Sequence, residues 1–348
     1  MARKRLYLSK DVLTAAKERI HHIADLHDSL AVCFSGGKDS LVVLHLTREV
    51  LAERWVKRVN VVFRDEELIP DTVVDFVNSY RGLDWVRMFY FAVPLASSKY
   101  ILGRTYEYTQ WDWNREHVRP MPDHAIKLAP GDKRVFDQYS MDDFCAGYFK
   151  GKVAFLTGIR AAESIMRFRA SVNKLNDNYI NASSSARVSL CKPIFDWEEN
   201  DVFRFFYDKG IAYCPIYDHQ LLAGRALRVA TPLHSEQAKR IGQLREIDPE
   251  FYNRVLKVFP DMEVQDRYYS ELDREAVKVR HGADMNGVRS YIEENITDED
   301  VQRAALARWR TIAAMQRNAP LNYPTLHVLK YFMAGSFKRK LLPENKAR

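Results

Sequence analysis

The sequence predicts an α/β fold, a parallel sheet flanked by helices, with a mostly helical C-terminal region. Three observations carry that expectation. Strand, helix and strand patterns follow one another between residues 30 and 67, the order of a parallel sheet built from crossovers. The 348 residues are 47% apolar, enough to bury a substantial core in one large domain with an appendage or in two domains. From about residue 232 the apolar residues recur at helical spacing, with Gly, Pro and Asp between the segments.

Residues 9–28 read as an opening helix, because Leu13, Ala16, Ile20, Ile23 and Leu26 approximate one apolar face. "LAVCF" (30–34) is a short buried strand and "SGGKDS" (35–40) the turn after it. "SLVVLHLTREVLAERW" (40–55) resumes as a helix, and "VKRVNVVFRDEE" (56–67) is the second strand. "IPDTVVDFVNSYRG" (69–82) is bounded as a helix by Pro70 and Gly82. "WVRMFYFAVP" (85–94) is a third strand, whose rings need no ligand to explain them, since aromatic residues favour strands. Residues 97–150 are polar, Pro-bearing and rich in Trp, and read as an irregular insertion. It is either a loop that covers a substrate or a structural one packed by Trp111 and Trp113. "KVAFLTGIRAAESIMRFRA" (152–170) returns to strand and helix. "SARVSLCKPIFDWEENDVFRFFYDKG" (185–210) gives strand, connection and helix, with Asp196, Glu198 and Glu199 suited to the helix dipole near its start.

A formal charge of +7, from 53 Lys and Arg against 46 Asp and Glu, permits nucleic-acid contact without establishing it. The basic final stretch "GSFKRKLLPENKAR" suits a solvated tail or a phosphate-backbone contact. No long uncharged apolar run offers a membrane span. "MARKRLYLSK", followed by Asp11, does not read as a secretory signal, so a cytoplasmic protein is expected. Cys33, Cys145, Cys191 and Cys214 lie far apart with no CxxC pair, which argues against a disulfide framework or a zinc module.

The turn at 35–40 carries the chemistry. Gly36 and Gly37 let the backbone approach closely, and a helix beginning near Asp39 would aim its free N–H groups, with the hydroxyls of Ser35 and Ser40, at anionic oxygens. Lys38 adds charge. That donor set suits a di- or triphosphate, although a plain strand-to-helix turn capped by Ser or Asp has the same residue types. The G-x-x-x-x-G-K-[ST] spacing of the GTPase phosphate loop is absent.

The string "SGGKDS" resembles the SGGxDS fingerprint of the PP-loop ATP pyrophosphatases. Within them the chain looks most like the phosphoadenosine phosphosulfate reductase-like group, which includes ATP sulfurylase small subunits and a subunit of the DNA phosphorothioation machinery. The resemblance covers about residues 28–222 and implies an adenine nucleotide alpha hydrolase-like (HUP-type) sheet. Residues 1–230, with the 97–150 insertion, are then the nucleotide-binding domain and 231–348 the helical region. It further implies ATP at Ser35, Gly36, Gly37, Lys38, Asp39 and Ser40, with Asp65 near the nucleotide. Glu66 and Glu67 stand where many relatives have Thr-Gly, and this acidic run could instead be a solvated turn. "TGIRAAES" (157–164) resembles the family's second phosphate-associated motif through Gly158, Arg160, Glu163 and Ser164. There Arg160 could clamp phosphoryl oxygens bidentately, with Glu163 orienting it. Pro193, Trp197, Asp201, Pro215, Tyr217 and Asp218 fit a third family pattern, for which packing is sufficient reason at Trp197 and Tyr217.

The reductases of this group use a catalytic cysteine in a C-terminal ECGIH-like segment, and no cysteine follows Cys214 here. The thiol route to reduction is therefore not expected. An iron-sulfur cluster held by Cys145, Cys191 and Cys214 is set aside in favour of isolated buried thiols. The resemblance implies adenylyl transfer: ATP with Mg2+, charge on the departing pyrophosphate offset by Lys38 and Arg160, and Asp39 or Asp65 positioning metal or nucleotide. The acceptor is a small oxyanion or a partner-delivered substrate. A nucleic acid remains open, because Arg115, His117, Arg119, Arg167, Arg169, Lys174, Arg225 and Arg228 could meet either, and Trp111 and Trp113 could stack on a base. The alternative is a nucleotide-sensing, regulatory or defence protein without turnover, acting with a ParB-like or sulfiredoxin-like partner.

Overall fold

The computed structural model describes residues 9–163, 167–168, 179–183, 185–222, 229, 231–239, 241–271, 274–296, 298–335 and 340–344. Ser164, Arg169, Lys174, Arg225 and Arg228 lie outside the described residues, as do the first eight residues and parts of the basic C-terminal stretch. The chain divides into two compact units, residues 1–98 with 107–260 and residues 99–106 with 261–348.

In the first unit, α1 (Val12–Leu26) starts at Asp11, whose carboxylate accepts the N–H of Thr14 at 2.9 Å. Then come β1 (Ser29–Cys33), α2 (Lys38–Glu53), β2 (Val59–Arg64), α3 (Asp71–Arg81) and β3 (Val86–Phe91). After an insertion, β6 (Val153–Leu156), β7 (Ile180–Ala182) and β8 (Val188–Cys191) complete a six-stranded sheet in the order β3-β2-β1-β6-β8-β7. Five strands are parallel, and β7 pairs antiparallel with β8 at the edge. This is the fold class read from the sequence.

Alternation along the strands builds two cores. Val32, Val61 and Leu156 face one layer with Ile20, Leu41 and Val77, while Ala31, Val62 and Phe155 face another with Met141 and Cys145. The α2 helix is buried on most of its faces, from Leu41 through Leu51, because α1 and the helix Glu199–Lys209 cover its outer side. Arg19 on α1 reaches Asp196 with two hydrogen bonds of 2.7 and 2.6 Å, and Trp197 donates its indole N–H to Val12 O at 3.1 Å.

The insertion is more regular than its composition suggests. Strands β4 (Leu95–Ile101) and β5 (Arg104–Gln110) form a separate hairpin, and α4 (Gln138–Ala146) starts at Asp137, whose carboxylate accepts Ser140 N–H at 2.7 Å. "LASSKYI" and "RTYEYTQ" contain no apolar run, so nothing in their pattern marks them as strands within the irregular insertion expected at 97–150.

In the second unit the helices Met285–Asn295, Glu299–Asn318 and Thr325–Met333 enclose Val288, Ile292, Ala305, Ile312, Val328 and Leu329. Asp284 and Asp298 supply side-chain caps, and Trp309 donates to Met285 O at 2.9 Å. Among the described residues, no helix is long and apolar enough to cross a membrane.

Candidate functional site

The chain runs outward from β1 to β2 and β3, then returns to β6 on the other side of β1. The carboxyl ends of β1 and β6 therefore flank a topological switch point, the place where open α/β sheets bind ligands. "SGGKDS" leaves β1 there and "TGIR" leaves β6. Gly36 has φ +75°, and a Cβ on it would meet Val73 Cγ1 at 2.8 Å. Gly158 is confined by approach: a Cβ would lie 2.5 Å from both Asp39 C and Ser40 N. Its missing side chain lets the exit of β6 rest against the first turn of α2. The serines close the loop, with Ser40 Oγ donating to Gly37 O at 2.9 Å and accepting Ser35 N–H at 3.2 Å.

Charge is arranged around that turn. Asp39 accepts Arg160 Nε–H on one oxygen at 2.6 Å and Lys38 Nζ–H on the other at 3.1 Å, so one carboxylate holds both cations. Glu199, at the start of its helix, approaches Lys38 Nζ at 3.3 Å. Glu163 accepts the Arg160 backbone N–H at 3.2 Å and pairs with Arg167. Lys38 and Arg160 are nevertheless buried, 4% exposed each. Tyr217 completes the arrangement by accepting the Lys38 N–H at 2.9 Å. Ser35, Gly36, Gly37, Lys38, Asp39, Ser40, Gly158 and Arg160 are thus brought together, with Glu199 and Tyr217 added from over 150 residues beyond the 35–40 turn. The only sequence signals for these two were an acidic helix start and a motif tyrosine assigned to packing.

Asp65 belongs to a different network at the end of β2. One oxygen accepts Glu67 N–H at 2.9 Å and pairs with Arg119, and the other accepts Tyr90 O–H at 2.7 Å. Glu67 is wholly buried at φ +64° and is no solvated turn. Its carboxylate accepts two Arg115 hydrogen bonds at 2.6 Å, Trp111 N–H at 2.6 Å and Val118 N–H at 2.9 Å. Trp111 is buried and donates its indole N–H to Asp65 O at 2.6 Å, whereas Trp113 is 43% exposed. This part of the insertion is therefore pinned onto the strand end by Arg–carboxylate pairs.

Cys145 lies in the core on the α4 side of the sheet and Cys191 and Cys214 in the core on the other. Burial pushes the thiols up, to about 12 at Cys33 and Cys191 and to about 11 at Cys145 and Cys214, which keeps them protonated. Among the described residues no three His, Cys, Asp or Glu side chains converge as a metal site. With both Asp39 oxygens engaged by cations, the side chains at the turn do not fit a protein-held Mg2+.

A protein of Escherichia coli (strain K12), called uncharacterized protein YbdN, is 31% identical over 264 residues. The match takes in 70% of this chain and 64% of that protein, so the chain spans less than two thirds of that relative. Candida glabrata FMN adenylyltransferase, solved with FMN and the ATP analog AMPCPP, superposes with a TM-score of 0.42 at 13% identity, covering 65% of this chain and 66% of that one. The Candida auris phosphoadenylyl-sulfate (PAPS) reductase phosphate complex gives a TM-score of 0.34 at 14% identity, covering 65% of this chain and 98% of that one. The family model described as phosphoadenosine phosphosulfate reductase domain matches residues 29–255, which take in both glycine turns and the helices that bring Glu199 and Tyr217 to them. By that match the chain belongs to the phosphoadenosine phosphosulfate reductase domain family, within the nucleotide-binding PP-loop superfamily.

Proposed function

We propose that the chain binds ATP over the 35–40 turn and transfers its adenylyl group to an oxyanion acceptor, releasing pyrophosphate. The observation that carries this reading is the Asp39 carboxylate holding Lys38 and Arg160 side by side at the start of α2. An acceptor oxygen attacks the α phosphorus, a new O–P bond forms, and the bond from that phosphorus to the bridging oxygen breaks. The electron pair leaves on pyrophosphate. Lys38, Arg160 and the orphan N–H groups of α2 take up the growing charge, with no protein nucleophile. Mg2+ carried by the nucleotide would neutralise phosphate charge. The protonated, buried cysteines support a route other than thiol-based reduction. Arg115 and Arg119, engaged by Glu67 and Asp65, are not offered to a polyanion, which favours a small oxyanion or a partner-delivered substrate over free DNA.

Separating the products of α-labelled and γ-labelled ATP, with sulfate, tRNA, duplex DNA or a partner protein added in turn, tests this. The expected outcome is an AMP-containing product and pyrophosphate. Orthophosphate as the sole labelled γ product would exclude the proposed scission. ATP binding without turnover for every acceptor would favour a nucleotide sensor acting with a ParB-like or sulfiredoxin-like partner.

A further inference from the structure

Tyr217 lies near the start of the helix Ile216–Leu222, which Pro215 initiates, and it is 3% exposed. Its hydroxyl oxygen sits where a phosphate oxygen would sit at a helix N-terminus: it accepts the Lys38 N–H at 2.9 Å and would lie 3.1 Å from a Cβ on Gly37. A phenol that accepts one bond still has a proton to give. Among the described residues nothing accepts it, and burial pushes the phenol well above its usual range, so the proton stays on. The same ring lies 5.6 Å from the Lys38 ammonium, which helps fix that cation beside Asp39.

We propose that Tyr217 is a phosphate-binding residue of the cradle: it takes the Lys38 N–H and presents its own hydroxyl proton to a β- or γ-phosphoryl oxygen. The assignment rests on the ATP reading above and adds a donor to it. A hydroxyl polarised by a backbone N–H is a stronger donor than an isolated one. It also extends the reach of the helix start by the length of one hydrogen bond. Donors to a charged oxygen contribute more than neutral pairs, so its removal is a sizeable loss.

Calorimetric titration of the full chain with ATP, pyrophosphate and AMP, unmodified and as Tyr217→Phe, tests the assignment. We expect Tyr217→Phe to lose about ten-fold or more in affinity for ATP and pyrophosphate. AMP, which has no β- or γ-phosphoryl group, should bind both proteins alike, an outcome that a merely structural tyrosine would not give. Unchanged ATP affinity overturns the proposal. So does tighter binding, which would make the hydroxyl a competitor of phosphate. If Tyr217→Phe does not fold, 3-fluorotyrosine at position 217 supplies the reading: its fluorine signal should move with pyrophosphate and not with AMP, and no movement overturns the assignment. An unmodified chain that binds neither ATP nor pyrophosphate would remove the ATP reading itself, and this assignment with it.

Discussion

Gly158 shows how little space the site leaves. A methyl group there would have to displace backbone atoms of Asp39 and Ser40, which cannot swing aside as a flexible side chain can. Gly158→Ala is therefore expected to cost about 1–3 kcal/mol of stability by overpacking and to weaken ATP binding. Gly82→Ala, whose Cβ meets only Ser79 O at 3.5 Å, should leave both nearly unchanged. Thermal melting and ATP titration of the two variants decide it. Contiguity explains which residues were legible. Ser35 to Ser40 announce themselves because donors, charge and turn glycines lie in one short string after a strand. Glu67 does not, because its meaning depends on Trp111, Arg115 and Val118, which reach it only after the chain has passed through three more strands.

At the level of elements, apolar runs made β1, β2 and β6 readable, since strands buried on both faces are apolar throughout. The β4–β5 hairpin escaped because its pairing, not its composition, defines it. The α2 helix carries a further consequence. His45 faces inward, its Nε2 sharing a 3.0 Å hydrogen bond with the Tyr80 hydroxyl, its ring beside Trp85, and Arg48 and Glu49 nearby. Burial, with Arg48 adding to it, lowers its pKa to about 4 against the smaller opposing pull of Glu49. The unfolded chain therefore binds the proton more readily. The stabilising contribution is complete above the ordinary imidazole value near 6.5 and is lost as pH falls toward 4. Between pH 7 and pH 5 the protein should lose about 2 kcal/mol from this group. His45→Gln should flatten the slope in that window when denaturant midpoints are measured at each pH.

For the molecule as a whole, each compact unit holds a buried apolar cluster of its own. Scanning calorimetry should show unfolding that departs from a single two-state transition. Saturating ATP should raise only the transition of the unit that contains residues 35–40. A single transition shifted as a block would contradict this. The helical character of the C-terminal region was legible from its spacing, while the grouping of residues 99–106 with it was not, because nothing in a hairpin tip names its distant neighbours. The formal charge of the chain is +7, yet beside the cradle the two cations, Lys38 and Arg160, already stand against two carboxylates, Asp39 and Glu199. Seen from beyond a screening length these four charges cancel, and they exert little pull on a distant polyanion. For the proposed nucleotide these four charges would add little to the rate of encounter. On the proposed function, discrimination would begin at contact, when phosphate oxygens compete with Asp39 for cations that it has kept aligned.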